Sequence, residues 1–91
     1  MNRLEMLTQL LMEEASEVSQ AASKCARFTF NHAHYDESNI ARLQTEITDL
    51  ITVLTMIEDE IKVEFSLERS LAKRERIEEY LEISRKLGAL Q

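Results

Sequence analysis

Residues 40–61 read IARLQTEITDLITVLTMIEDEI. Apolar side chains recur at Ile40, Leu43, Ile47, Leu50, Leu54, Ile57 and Ile61. The alternating steps of three and four keep one stripe of an α-helix turned toward a partner helix. Ile51, Val53 and Met56 fall off that stripe. A helix apolar on several sides needs cover on several sides. A chain of 91 residues has room for only two more short helices. The stretch therefore predicts a homo-oligomer, dimer or tetramer, with this helix near the middle of a bundle. The alternative is a monomer with scattered exposed apolar residues.

Outward from this helix the punctuation is sparse. There is no proline, and Gly88 is the single glycine. Turn-rich β architectures need both, so long helices are favoured. A first helix is predicted from about Leu4 to Phe28, capped by Asn2 with Glu5 three residues later. The loop TFNHAHYDES (29–38) follows, and Ser38 or Asp36 can cap the second helix. That helix is expected to end between Lys62 and Ser66. A third runs from about Leu67 to the mid-80s, capped by Ser66 and stopped near Gly88. Its stripe of Leu67, Leu71, Ile77 and Leu81 is thinner and interrupted by Arg74. The predicted fold is all-α: one domain, residues 1–91, an antiparallel bundle of three main helices completed by homo-oligomerisation.

The net charge of −6 speaks against a nucleic-acid polymer as partner, because phosphate backbones need a basic face. Charged residues make up 31% of the chain, and no run of ~18 uncharged apolar residues marks a membrane span. The N-terminus turns acidic too early for a signal peptide. Cys25 is alone and lies on the first helix's apolar stripe, which predicts a buried, inert thiol and a cytoplasmic location.

The stretch LLMEEASEVSQAASK (10–24) carries an anomaly. Its stripe runs Leu4, Leu7, Leu11, Val18 and Cys25, and the slot after Leu11 holds Glu14. Glu17 lies about 60° to one side, one turn on. The second helix repeats the arrangement as Glu46-x-x-Asp49. Two acidic i, i+3 pairs on facing helices can converge on one point. Clustered carboxylates must then take up protons or bind cations. An all-oxygen set suits Mg²⁺, with Mn²⁺ as substitute, and not zinc. Both helices lack the Glu-x-x-His of a di-iron bundle. His32 and His34 are read as polar loop residues or substrate contacts before metal ligands. In a chain with 17 acidic residues such pairs also arise on solvated faces. The placement of Glu14 in a stripe, and of Asp49 beside Val53 and Met56, favours the metal.

Lys24 is seven residues beyond Glu17 and shares its face, with Arg27 and Phe28 at the loop. Arg69, Lys73, Arg76 and Tyr80 form a stripe on the third helix. Such cations suit a polyphosphate, or ion pairs with the many glutamates. Phe28, Phe30 and Tyr35 can stack on a base or anchor the loop.

EEASE (13–17), followed after 28 residues by EITD (46–49), resembles the E-E-x-x-E … E-x-x-D signature of the MazG-like all-α nucleoside triphosphate pyrophosphohydrolases. The wider strings LLMEEASEVSQAASKCARF, NIARLQTEITDLITVL and AKRERIEEYL resemble small phage and bacterial members, in the same order. The resemblance implies Mg²⁺-dependent hydrolysis of a (deoxy)nucleoside triphosphate to the monophosphate and pyrophosphate. Glu14, Glu17, Glu46 and Asp49 match the metal ligands, and Glu13 an outer-shell or third-metal position. Lys24, Arg27, Lys73, Arg76 and Tyr80 match phosphate-contacting positions, and Asn39 a polar position able to touch nucleotide. Three features depart from the pattern. Thr29 stands where relatives commonly have glycine, the loop lacks a stacking tryptophan, and Met56 replaces a polar residue of other branches.

Together these readings predict a metal-activated water that attacks the α-phosphorus. Glu14 is expected to act as both ligand and water-orienting base, because its seam position is the most desolvated. Two rivals stand beside this reading. One is a non-catalytic helical oligomerisation or adaptor module. The other is a phosphoribosyl-ATP pyrophosphohydrolase on the same fold.

Overall fold

The computed structural model describes residues 1–34 and 37–91, with the backbone alone at 33 and 34. The stacking candidate Tyr35, the capping candidate Asp36 and the side chain of His34 lie outside the described residues. The chain is all-α with three helices: α1 (Arg3–Phe28), α2 (Asn39–Ile61) and α3 (Leu67–Lys86). A two-residue antiparallel ladder, β1 (Ala33–His34) with β2 (Glu37–Ser38), lies between α1 and α2. Among the described residues no helix is long and apolar enough to cross a membrane.

Each helix starts on a side-chain cap that satisfies an orphan N–H of the first turn. Asn2 Oδ1 accepts from Glu5 N at 2.8 Å, Ser38 Oγ from Ala41 N at 3.2 Å, and Ser66 Oγ from Arg69 N at 3.1 Å. The expected caps are thus in place. The second helix stops at Ile61, slightly short of the expected end. Lys62 takes a left-handed conformation, and its N–H bonds back to Glu58 O.

α1 ends at a more demanding residue. Thr29 has φ 73° and ψ 157°. Only glycine populates that region freely, and a β-branched residue there is strained by about 1–3 kcal/mol. Neighbouring bonds hold it. The Asn39 side-chain amide donates to Thr29 O at 2.8 Å and to Lys24 O at 3.4 Å. Backbone bonds from Asn39 N to His32 O (2.9 Å) and from Ile40 N to Phe30 O (2.8 Å) fasten the same loop onto the start of α2. At the far end of the antiparallel pair, Arg3 Nε donates to Glu60 Oε1 at 2.6 Å.

The α1–α2 interface departs from the predicted seam. α1 contributes buried Leu7, Ala21 and Cys25, with Leu4, Leu10, Leu11, Glu14 and Val18 half-buried. The α2 face against it runs Asn39, Leu43, Glu46, Leu50, Val53 and Ile57, with Met56 at its margin. Leu43, Leu50 and Ile57 lie where expected. Val53 and Met56, predicted off the seam, belong to the packed side. Ile40, Ile47, Leu54 and Ile61, predicted on it, are exposed together with Ile51. The two stripes lie roughly 90° apart around the helix. Two of the packed positions hold polar residues, Asn39 and Glu46, so apolar periodicity alone selects the neighbouring stripe.

α3 has no buried residue, and its apolar positions Leu67, Leu71, Ile77 and Leu81 are all exposed. It makes no more than marginal contact with the other helices. The radius of gyration is 16.6 Å, against about 12 Å for a compact domain of this length. The accessible surface is 7668 Å², where a compact monomer of this mass exposes roughly 5,500 Å². The chain is a slab only 17 Å thick.

Thr29→Gly should raise the unfolding free energy by about 1 kcal/mol, the relief of strain exceeding the added chain entropy. Urea denaturation checks this. An unchanged or lower midpoint would show that Thr29 is not strained.

Candidate metal centre

Glu14 sits at the centre of the packed face of α1, with Glu17 one turn further on and exposed. Glu46 projects from the facing stripe of α2 and is 3% exposed. One carboxylate oxygen from each of the three lies within 4.8 Å of the others. Glu46 is therefore the deepest acid of the group. Glu14, expected to be the most desolvated, is half-buried as a residue. The reason is the shifted seam on α2, which carries Glu46 into the interface.

Two oxygens at this site, Glu14 Oε2 and Glu46 Oε2, are buried without a hydrogen-bond partner. Buried carboxylate oxygens are normally satisfied, and leaving one bare is strongly unfavourable. The other oxygen of Glu46 is ion-paired with Arg42 Nη2 at 2.8 Å. Three convergent carboxylates with two orphaned oxygens and no nitrogen or sulfur donor fit a hard divalent cation such as Mg²⁺.

The electrostatics agree with the crowding. The Glu14 carboxyl is held above its ordinary value of 4.5 by burial first, then by the charges of Asp49, Glu46 and Glu13. Glu46 is raised by the Glu17 carboxyl at its side, which could bond it only by sharing a proton, then by burial, with Glu17 and Asp49 adding repulsion and Arg42 pulling the other way. Asp49 is thus close enough to be felt by both. It is exposed, and its oxygens do not join the set of three. Glu13 is exposed and contributes only repulsion on Glu14.

Lys24 links the acids to the loop. It lines a small cleft of about 40 Å³ with Glu17, Gln20, Ala21 and Arg42. It also lines a second cleft of about 200 Å³ with Phe28, His32 and Asn39. The Arg27 guanidinium lies 5.1 Å from the centre of the Phe28 ring, and the Phe28 and His32 rings are 6.3 Å apart at 42°. Lys24, Arg27, Phe28 and Asn39 are therefore gathered at one end of the α1–α2 pair. The Asn39 amide group is already engaged in clasping the end of α1. Lys73, Arg76 and Tyr80 stand on α3, which does not pack on the helices that carry the acids. Within one chain they are not brought to the site. Lys73 instead lines a groove with Phe65 of the preceding linker and Arg69 of its own helix.

Arg42 was not singled out from the sequence, although its position one turn before Glu46 is the usual spacing of a helical ion pair. Cys25 is buried and free, as expected for an inert thiol.

Because the folded state holds Glu14 above 4.5, it binds the proton more tightly than the unfolded chain does. That contribution to stability is fully present below pH 4.5 and is lost as pH rises through the folded value. In metal-free protein, Glu14→Gln should therefore match wild type near pH 4 and melt progressively higher than wild type toward pH 7. Thermal denaturation across that range tests the sign. A gap constant with pH would remove Glu14 from the crowded site. Comparison of the chain with protein-family models, curated proteins and solved structures gives no match, so the reading of this centre rests on its own chemistry and on the sequence motifs.

Proposed function

We propose that this protein is a Mg²⁺-dependent nucleoside triphosphate pyrophosphohydrolase of the MazG-like all-α type, converting a (d)NTP to the (d)NMP and pyrophosphate. One observation carries the reading: two buried, unpartnered carboxylate oxygens stand in a three-glutamate cluster. Lys24 lines both a small cleft beside Glu17 and an aromatic cleft. A triphosphate needs positive charge at one end and an apolar platform for its base at the other, and this layout supplies both.

Glu14, Glu17 and Glu46 would hold the cation, with Asp49 adding charge from the rim. Bound there, Mg²⁺ neutralises phosphate charge and makes a water more acidic. Glu14 Oε2 takes a proton from the attacking water. The water oxygen bonds to the α-phosphorus, and the bond from that phosphorus to the bridging oxygen breaks. The bridging oxygen leaves with its electron pair as pyrophosphate. Lys24 offers its ammonium to the leaving phosphates, and Phe28 with Arg27 behind it offers a face to the base.

The same reading includes a homo-oligomer. Ile40, Ile47, Ile51, Leu54 and Ile61 make an exposed stripe on α2. Beside it the hydroxyls of Thr48 and Thr55 donate to carbonyls of their own helix, which lowers the cost of drying that side. The surface in excess of a compact monomer, roughly 2,000 Å², is of the size a stable interface buries. Lys73, Arg76 and Tyr80 serve phosphate only where assembly carries α3 to a neighbouring site. The exposed apolar stripe also favours a second reading, an oligomerisation module without chemistry. That reading leaves the orphaned oxygens unexplained.

A panel of NTPs, dNTPs and phosphoribosyl-ATP with Mg²⁺, read by pyrophosphate release, tests the function. Turnover of at least one triphosphate is expected, and inactivity toward all of them would favour the module. Glu14→Leu should melt higher than wild type without metal and lose activity by about 100-fold or more. A variant as active as wild type would remove Glu14 from the chemistry. For the assembly, Ile51→Glu with Leu54→Glu should convert the oligomer to monomer in light scattering. A wild-type monomer would overturn that part of the reading.

A further inference from the structure

We infer that Arg42 is an exchangeable counter-ion, held on Glu46 while the centre lacks metal and transferred to the polyphosphate of the substrate once metal and nucleotide are bound. The inference rests on the proposed metal-dependent hydrolysis and adds a residue that the signature motif does not contain.

Glu46 is the only one of the three clustered acids that forms an ion pair among the described residues, and it uses just one oxygen to do so. Its Oε1 lies 2.8 Å from Arg42 Nη2, and its Oε2 is buried and unpartnered. The two ends of the pair differ in environment. The Glu46 side chain is 4% exposed, whereas that of Arg42 is 55% exposed. The carboxylate is thus fixed, while the guanidinium reaches it from the solvent side and is free to swing. Arg42 also lines the small cleft with Glu17, Gln20 and Lys24, and Lys24 lines the aromatic cleft as well.

Charge decides which way it goes. Without metal, the cluster has a local excess of negative charge, and Glu46 is the best partner within reach of Arg42. With a divalent cation held on the Glu46 carboxylate, the attraction of Arg42 for it would fall. A polyphosphate passing Lys24 then presents the denser anion in the same cleft, and the planar guanidinium can bond two of its oxygens at once. Arg42 therefore competes with metal and assists phosphate. A residue serving only to position Glu46 would assist both.

These opposite signs make the test. Mn²⁺ binding to nucleotide-free protein is measured by electron paramagnetic resonance for wild type, Arg42→Met and Arg42→Gln. Both variants should bind Mn²⁺ about three- to fivefold more tightly, as expected for loss of a half-exposed ion pair. Inorganic tripolyphosphate is then titrated calorimetrically at saturating Mg²⁺, where both variants should bind about tenfold more weakly. Arg42→Lys keeps the charge but not the fork, and should lie between wild type and Arg42→Met in both measurements. Should a neutral variant fail to fold, Arg42→Lys carries the test, and wild-type behaviour in both measurements overturns the inference. Unchanged or weaker Mn²⁺ binding in the neutral variants removes the competition. Unchanged tripolyphosphate binding removes the transfer. Absence of Mn²⁺ binding in wild type itself defeats the metal reading, a failure distinct from either of these.

Discussion

Glu46 brings a carboxylate into the contact between two helices, where water cannot solvate it and only one of its oxygens has a partner. Few placements are less favourable for a charge, and the surroundings show the strain of accommodating it. Arg42 reaches in from solvent, the Glu17 carboxyl crowds against it, and the group is pushed toward its neutral form. The α1–α2 pair has little else to hold it together. Its buried apolar residues are Leu7, Ala21, Cys25 and Ile57, a small core. A stability-optimised helix pair would place leucine at position 46. Retaining the acid makes sense if a ligand repairs the defect, which is the logic that joins the fold to the proposed chemistry.

How much of this was legible in the sequence depends on the residue. The helices and their caps follow from local rules: Asn2, Ser38 and Ser66 each bond the N–H that capping geometry requires. Glu14 and Glu17 could be placed by helical spacing against an apolar stripe, because that stripe on α1 is almost wholly apolar. On α2 the same method ran two stripes together: Leu43, Leu50 and Ile57 lie on the packing face, and Ile40, Ile47, Leu54 and Ile61 lie beside it. Ile40, Ile47 and Leu54 make the cleaner pattern, yet Asn39 and Glu46 lie on the face that packs. Periodicity measures where apolar side chains fall, not which of two apolar faces meets the neighbouring helix of the same chain. Arg42 was missed for a related reason. One arginine among many charges acquires meaning only when the carboxylate four residues on is known to be buried.

α3 illustrates the opposite case. Its boundaries and its weak stripe were readable, but among the described residues no element packs more than marginally against it. The exposed stripe of α2 and the exposed apolar residues of α3 are unfinished surfaces of the same kind. A slab 17 Å thick cannot shield a core from both sides. The apolar content of this sequence, 44%, is that of a protein with more interior than one such chain encloses.

The Asn39 clasp has a bearing on motion as well as on shape. One amide group ties the last turn of α1 to the first residue of α2, and it does so at the strained Thr29. Opening the end of α1 would break those bonds and release the strain, so the last turn of α1 and the first residue of α2 are tied into one local unit. Lys24, Phe28 and Asn39 belong to it. The glutamate cluster lies further along the helices and outside it. One turn of backbone thus fastens the cleft, and a separate set of contacts holds the acids in register.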